Sequence, residues 1–315
     1  MQVMANRQKA SPLLKAARHW QIYAMMLPGL LLILLFHYLP MLGLVMCFND
    51  FNPILGVQGF WQSEWVGLKW FEKFINSFYF ERIMRNTLLI NIAKLLCGFW
   101  VPIVFALLLN EERNRIVKKT VQTVSYMPYF ISWVVTIALM DSLFSPTSGL
   151  VNNIRNSMAL PSIYFMGKEE YFYPMIIGSS IWKGFGWSSI IYIAALAGVD
   201  AQLHEAAQID GASRVQRIWH VDFPHIKPTI MILLIMGIGN IMSVGFEKAY
   251  LMQNNLNLQH SELISTYVYR IGLSGEGRTD FSYATAIGLF NSVINLVLIL
   301  GANTLSRKLS QTSLF

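Results

Sequence analysis

Long apolar blocks are the feature that most restricts how this chain can fold. Only 13% of its 315 residues are charged, about half the share of an ordinary soluble domain. Each block is long enough to cross the roughly 30 Å hydrocarbon core of a bilayer as a helix that satisfies its own backbone hydrogen bonds. The blocks predict an all-α polytopic membrane protein with six transmembrane helices, at about residues 22–48, 86–109, 121–144, 173–197, 226–250 and 281–305.

The first block follows a basic head that contains Arg7, Lys9, Lys15 and Arg18, as the apolar part of a signal peptide would. It is longer than that part of a signal peptide, and no small-residue cleavage site follows it. We therefore expect an uncleaved first helix, which makes residues 22–305 one membrane domain.

The distribution of basic residues predicts the orientation. Thirteen lysines and arginines fall in residues 1–21, 110–119, 198–228 and after 305, more than in the other connections. Basic connections stay in the cytoplasm, so the N-terminal segment and the C-terminal tail, residues 306–315, are both expected there. The confinement of these charges to short connections argues against nucleic-acid binding, although the formal net charge is +7.

The predicted cytoplasmic connection at residues 198–225 has the pattern of two short helices. Glu205 to Ile209 are mostly helix formers, and Gly211 can adopt the positive φ that ends a helix. Pro224 is expected to stop the second segment just before the fifth span. Two short helices that meet at a glycine would form a compact, rigid knob on the cytoplasmic face.

Residue types within this knob suit the docking of a partner protein. The small Ala206 and Ala207 permit close approach of another surface, and Glu205, Arg214 and Arg217 offer charges around it. Such a knob is suited to transmit a partner's movement to the membrane helices.

The same residues match a family motif, which reads Glu-Ala-Ala, three residues, Gly, nine residues, Ile, one residue, Leu-Pro. The identical positions are Glu205, Ala206, Ala207, Gly211 and Pro224, whereas Val221 replaces Ile and Phe223 replaces Leu. The connection therefore resembles the coupling loop of type I ABC importer permeases. Segments such as 36–40 and 194–198 resemble the branch that imports carbohydrates, and within it the permeases for oligosaccharides and polysaccharide fragments.

The resemblance implies a type I ABC importer permease fold in a bacterial inner membrane, surrounded by membrane lipid. It implies a second, homologous permease that forms a heterodimer with this chain, two ATPase subunits, and an extracytoplasmic solute-binding protein that delivers the carbohydrate. The residues expected to dock in a groove of the ATPase are Glu205, Ala206, Ala207, Gly211, Arg214, Val221, Phe223 and Pro224.

The chain contains no phosphate-binding motif of the form Gly-x-x-x-x-Gly-Lys-Ser/Thr. ATP and its Mg²⁺ are therefore expected on the partner ATPase, and this chain is expected to be neither an enzyme nor a holder of a cofactor. Its six histidines show no metal-ligand spacing, and Cys47 and Cys97 lie inside apolar blocks, where cysteine acts as a small hydrophobe.

Polar residues inside the predicted spans are costly in lipid, so they mark a pathway or an interhelical contact. In the fifth span the spacing puts three of them on one helix face. Amides and charged groups can bind the hydroxyl groups of a carbohydrate, and aromatic rings can contact its C–H faces. The candidates for a substrate path are Trp182, Lys183, Trp187, Asn240, Ser243, Glu247, Asn291 and Asn295. The alternatives are interhelical hydrogen bonds for the asparagines, anchoring or packing for the tryptophans, and an ion pair with Glu247 for Lys183.

Basic residues outnumber acidic ones inside the spans, with Lys94, Lys183 and Lys248 against Asp141 and Glu247. A cationic lining would stabilise carboxylates, so we hypothesise an acidic cargo such as a uronate oligomer. The alternative for these charges is contact with lipid headgroups.

Two functions are compatible with these features. The favoured one is a permease subunit that translocates an oligosaccharide or polysaccharide fragment with energy from a partner's ATP hydrolysis. The alternative is a membrane assembly or sensor protein that docks an ATPase without moving solute.

Overall fold

The structure is a computed structural model that describes residues 20–274 and 279–310. The basic residues of the predicted N-terminal segment lie outside the described residues, and so do Arg278 and the last five residues of the predicted tail.

Helices make up most of the described chain, and the only β-type pairing within it is a single antiparallel bridge between Asn49 and Trp65. Short 3-10 turns occupy Pro53–Gln58 and Met127–Phe130. The helices are α1 (Trp20–Phe48), α2 (Gly59–Gln62), α3 (Lys69–Ile75), α4 (Phe80–Asn110), α5 (Arg115–Tyr126), α6 (Trp133–Phe144), α7 (Leu150–Ser157), α8 (Glu169–Leu196), α9 (Ala201–Ile209), α10 (Arg214–Gly239), α11 (Phe246–Met252), α12 (Leu258–Ser261), α13 (Ile264–Gly272) and α14 (Phe281–Ser310).

The chain forms two compact units, of which the first ends at Lys69. This unit consists of α1, whose apolar side chains are almost all exposed, and a loop that folds back on its own start. In the loop the amide of Asp50 donates to the Glu64 carbonyl (2.8 Å), and the buried Asn49 side chain donates to the Phe60 carbonyl (3.1 Å). A helix that is apolar all round requires lipid or protein around it, which suits a membrane span.

The second unit, from Trp70 onward, is organised around α8. Phe172 and Ile176, near the start of α8, belong to one buried apolar cluster, which also contains Ile137 of α6 and residues of α11. Tyr192 and Leu196, near its end, belong to a second cluster with residues of α4 and α10. The long helix α8 therefore contributes to both of these clusters.

By length and composition, α1, α4, α10 and α14 each qualify to cross a bilayer. Two sharply bent pairs bring the number within the described residues to as many as six: α5 with its 3-10 extension and α6, bent by 99°, and α8 with α9, bent by 77°. The bounds of the six predicted spans stay a prediction.

The third predicted span, residues 121–144, was expected to be one helix and is instead broken. The chain passes from α5 into the 3-10 turn that contains Pro128, and a new helix starts after Ser132, whose hydroxyl accepts from the Val135 amide (3.3 Å). Proline lacks an amide hydrogen and serine caps a new helix start, so the two residues together favour a break.

The fifth predicted span, residues 226–250, is broken as well. Helix α10 ends at Gly239, with Asn240 as its C-cap, and α11 begins at Phe246. A Cβ at Gly239 would lie 2.7 Å from the nearest Ile299 side-chain atom, so the glycine permits α14 to pack closely at the break. The prediction that Asn240, Ser243 and Glu247 share one helix face was therefore wrong.

Pro224 does not stop a helix as expected, because α10 runs through it. A π-helical turn, Ile218–Asp222, is followed by an α-helical part that starts at Phe223, and Pro224 lies in the first turn of this part. Proline is tolerated in a first turn, where its missing amide hydrogen breaks no intrahelical bond.

The close approach of α8 to α5 yields a test of this packing. A Cβ at Gly186 would lie 2.1 Å from the Ser125 carbonyl oxygen, whereas a Cβ at Gly178, on the same helix, would meet nothing within 4 Å. We expect Gly186→Ala to destabilise the protein by about 1–3 kcal/mol, because backbone atoms must shift. The apparent melting temperature of the purified protein in detergent should fall for Gly186→Ala and stay near the wild-type value for Gly178→Ala; equal values for all three would contradict the packing.

Candidate functional site

A cavity of about 750 Å³ lies in the second unit, between α4, α8, α10 and the start of α11. Apolar side chains form most of its walls, and a small number of polar groups converge on it. The polar side chains that line it are Asn91, Lys94, Ser180, Ser188, Asn240, Ser243 and Lys248. A mostly apolar cavity of this size with a few polar groups is typical of a small-molecule site.

Both helix breaks reach this cavity. Trp133, the first residue of α6, lines it from the third predicted span, and Asn240 and Ser243 line it from the break before α11. At membrane depth, non-helical backbone is tolerated only where it is buried in protein or lines a cavity. Residues at or next to both breaks therefore contribute to the lining of the cavity.

Two lysines bring positive charge to the cavity. The Lys248 ammonium donates to the Ser180 hydroxyl (2.8 Å) and lies 5.6 Å from the centroid of the Trp133 ring. Lys94 lines the cavity from α4 and is exposed. None of the ion pairs formed by residues 20–274 and 279–310 involves either lysine. Neither lysine is therefore paired with a carboxylate in the described part of the chain.

An aromatic surface stands beside the lysines. Trp187 lines the cavity, and its ring stacks on Tyr129 with centroids 4.6 Å apart and planes inclined by only 6°. Phe130 packs edge-on against the same tryptophan at 5.5 Å. This packing fixes the orientation of the indole, which suits it to contact the C–H face of a sugar.

Lys183, which the sequence also offered for the path, does not line the cavity. Its ammonium is buried and donates to the carbonyl oxygens of Pro128 (3.3 Å), Tyr129 (2.8 Å) and Ile131. These carbonyls lie where a helix ends, a position that in general leaves the last carbonyls without intrahelical donors. The Pro128 carbonyl also accepts from the Ile131 amide (3.3 Å). Lys183 therefore completes the break in the third predicted span.

The structure brings Trp187, Asn240 and Ser243 together in the cavity, as the substrate-path hypothesis requires. It does not bring the other candidates there. Trp182 is exposed elsewhere, as is Glu247. Asn295 donates to the Ser243 hydroxyl (3.2 Å) and accepts from the Met242 amide (3.1 Å), so it supports the break, as the interhelical alternative proposed.

Asn291 is half-buried and is not among the cavity residues, and its side-chain oxygen has no hydrogen-bond partner in the described part of the chain. Sequence reasoning missed Asn91, Ser180 and Trp133. Ser132, a helix-capping residue shortly after Pro128, was the signal that could have indicated a helix start at Trp133.

The knob predicted at residues 198–225 begins with α9, whose start is capped by the Asp200 carboxylate. Gly211 has a φ of 78° and ends the helix, while the amides of Gly211 and Ala212 donate to the carbonyls of Gln208 (3.1 Å) and Ala207 (2.8 Å). This pattern is a Schellman motif, which requires the left-handed conformation that glycine adopts freely. The predicted bend at Gly211 is confirmed.

The second helix of the knob starts at a capping box formed by Ser213 and Gln216. The knob presents large apolar side chains, with Ile209 87% exposed and Val215 75% exposed. The predicted docking residues Glu205, Ala206, Gly211, Arg214 and Pro224 are exposed, and Ala207, Val221 and Phe223 are half-buried. Apolar surface rimmed by polar residues marks a surface that binds another protein.

Comparison with known proteins identifies the family. A family described as "Binding-protein-dependent transport system inner membrane component" matches residues 98–311. The chain belongs to this family. Its fold is shared with a bacterial ABC transporter involved in the import of the acidic polysaccharide alginate, at a TM-score of 0.84 and 39% identity over 94% of this chain and 98% of that one.

Relatives within the family include two proteins of Bacillus subtilis (strain 168). The polygalacturonan/rhamnogalacturonan transport system permease protein YteP is 42% identical over 99% of this chain and 96% of its own length. Protein LplB is also 42% identical, over 93% of this chain and 91% of its own length. The chain is therefore a sugar or polysaccharide ABC importer permease with the predicted all-α fold, and a separate ATPase hydrolyses the ATP.

The two buried lysines of this membrane unit are expected to differ in their effect on stability. Lys183→Met removes the ammonium donor from three backbone carbonyls, of which only that of Pro128 keeps a bond from the Ile131 amide, so the free energy of unfolding should fall by about 1–3 kcal/mol. Lys248→Met removes a donor from one hydroxyl only, and the resulting protein should melt closer to the wild type. Thermal unfolding in detergent measures both variants, and a Lys183→Met protein as stable as the wild type would contradict the capping role.

Proposed function

We propose that this chain forms the membrane path for an acidic oligosaccharide, such as a uronate oligomer, which an extracytoplasmic solute-binding protein delivers. The observation that carries the proposal is the cavity with Lys94 and Lys248 on its walls and no carboxylate paired with either lysine among the described residues. Positive charge in a low-dielectric cleft raises the local concentration of anions.

The remaining lining suits a saccharide. Trp187 offers a flat ring to sugar C–H faces, and the amide side chains of Asn91 and Asn240 can exchange hydrogen bonds with hydroxyl groups. Trp133 is the first residue of α6, so the positive end of that helix dipole also lies beside the cavity. These groups together favour a carboxylated sugar over a neutral one.

Similar proteins support an acidic cargo. YteP carries the name of a polygalacturonan and rhamnogalacturonan transport system, and polygalacturonan is a polymer of uronate units. A second structure with the same fold, at a TM-score of 0.86 and 38% identity, is an alginate ABC transporter in complex with an alginate pentasaccharide-bound periplasmic protein.

The energy for transport comes, in this proposal, from an ATPase that docks on the knob. Two ATPase subunits hold ATP and Mg²⁺, and a second, homologous permease completes the path. The exposed Ile209 and Val215 provide the apolar part of the docking surface, and Glu205 and Arg214 provide charges around it. From the distribution of basic residues, we also propose that both termini lie in the cytoplasm.

The acidic cargo is tested by uptake into proteoliposomes that contain the whole transporter, with an alginate pentasaccharide and neutral maltopentaose as probes. Lys94→Met and Lys248→Met should each lower uptake of the acidic probe by about tenfold, the equivalent of about 1.4 kcal/mol, because a carboxylate loses a charged partner. Lys119→Met, at an exposed lysine outside the cavity, is the matched control. Equal uptake of both probes by the wild type, or full uptake of the acidic probe by both cavity variants, would refute the proposal.

Docking of the ATPase is tested by purification of the tagged chain from membranes. The wild type should co-purify with a second permease and an ATPase, whereas Gly211→Pro should lose the ATPase and still insert, because it alters the knob and none of the spans. A sensor or assembly protein would retain the ATPase but show no solute uptake. Purification of the chain as a homodimer without any ATPase would contradict the proposal that it is a subunit of an ATP-driven importer.

A further inference from the structure

The first helix of the knob, α9, touches the rest of the protein through very few side chains. Of its nine residues only His204 and Ala207 are not exposed, and they lie one turn apart on the same face. The Gly211 turn that follows makes no close side-chain contact, since a Cβ there would meet nothing within 4 Å. His204 is therefore the polar anchor of α9.

The partner of His204 is a buried carboxylate at the base of α10. The imidazole Nε2 lies 3.2 Å from an oxygen of Asp222, whose side chain is 1% exposed. Apart from this contact, the Asp222 carboxylate has no hydrogen-bond partner among the described residues. A carboxylate so deeply buried is expensive to keep charged without a partner, so the structure is strongly biased toward the paired arrangement.

Asp222 occupies a mechanically important position. It is the last residue of the π-helical turn Ile218–Asp222, and the α-helical part of α10 begins directly after it. At the other end of α10, Gly237 and Asn240 line the cavity. A displacement of Asp222 would therefore move the α-helical part of α10 that starts at Phe223, and with it the residues at the far end that line the cavity.

A second ion pair fixes the base of α10. Arg217, 8% exposed at the side chain, lies 3.4 Å from Glu111, which follows the last residue of α4. Besides His204, the charged groups that interact electrostatically with Asp222 are Arg217 and Glu111. The base of α10 is thus held to the end of α4 by the ion pair between Arg217 and Glu111, and to α9 by the contact between Asp222 and His204.

We propose that His204 and Asp222 are positioning residues for coupling, forming the link through which movement of the ATPase-docked α9 displaces α10 at the cavity. The proposal rests on the proposed function, because it takes the knob as the ATPase-docking site. When the ATPase moves α9, the contact between His204 and Asp222 transmits the displacement directly to α10, without passing along the chain through the turn at Gly211.

The test uses the whole transporter in proteoliposomes and measures saccharide uptake per ATP hydrolysed, with an alginate pentasaccharide on the binding protein. His204→Gln and Asp222→Asn should each lower this ratio by about fivefold or more, with the ATPase still bound. The double variant should be no worse than either single one, because both remove the same link. His204→Arg should restore the ratio, since its guanidinium can also pair with Asp222. His220→Gln, at an exposed histidine of the same loop, is the matched control.

A purely structural role predicts a different pattern. It would lower assembly and ATPase activity together, with no recovery in His204→Arg. An unchanged ratio in both single variants, multiplied losses in the double variant, or a His204→Arg ratio as low as that of His204→Gln would each overturn the proposal. If His204→Gln fails to assemble, the uptake per ATP hydrolysed of His204→Arg decides. A normal ratio in His204→Arg supports the link, and a low ratio refutes it.

The wild-type transporter separates this inference from the proposed function. If the wild type shows no ATPase stimulation by the loaded binding protein, the proposed function fails and the link fails with it. If the wild type is stimulated and the single variants are equally well coupled, only the link between His204 and Asp222 fails.

Discussion

The interior of the membrane unit depends on one ammonium group that satisfies backbone carbonyls where a helix breaks. Lys183 donates to the carbonyl oxygens of Pro128, Tyr129 and Ile131, and so supplies hydrogen bonds where the regular helix stops in an apolar environment. With the break satisfied, Tyr129 can stack on Trp187 and α6 can begin at the cavity. A continuous helix over this stretch would close the position that Trp133 now occupies.

The second break acts in the same region, and one helix connects it with the cytoplasmic knob. Helix α10 starts at Arg214 within the knob and ends at Gly239 beside the cavity. Asn295 of α14 holds the backbone beyond this end through Met242 and Ser243. A displacement of the knob therefore has a short, continuous path to the residues that line the cavity, which is what coupling of ATP hydrolysis to transport requires.

The sequence predicted what depends on local pattern. The apolar blocks predicted an all-α membrane protein, and the Glu205–Pro224 motif predicted the bend at Gly211, whose positive φ glycine adopts freely. Pro128 and Ser132 are a local signal for the first break, but the contacts that complete both breaks come from residues far away in the chain. Lys183 in α8 donates to carbonyls at one break, and Ile299 in α14 packs on Gly239 at the other.

The same distinction applies to the candidate site. Lys94 and Lys248 could be predicted because charges are rare inside spans, so each one is informative. Trp182 and Trp187 could not be told apart by residue type, since only the packing of α8 decides which of them faces the cavity.

We propose that an acidic saccharide passes through the cavity between Lys94 and Lys248. An electron cryo-microscopy structure of the assembled transporter, trapped during turnover with an alginate pentasaccharide, tests this directly. We expect saccharide density in this cavity, with a carboxylate within hydrogen-bonding distance of at least one of the two lysines and a sugar face against Trp187. Saccharide density in the membrane path that avoids this cavity and contacts neither lysine would contradict it.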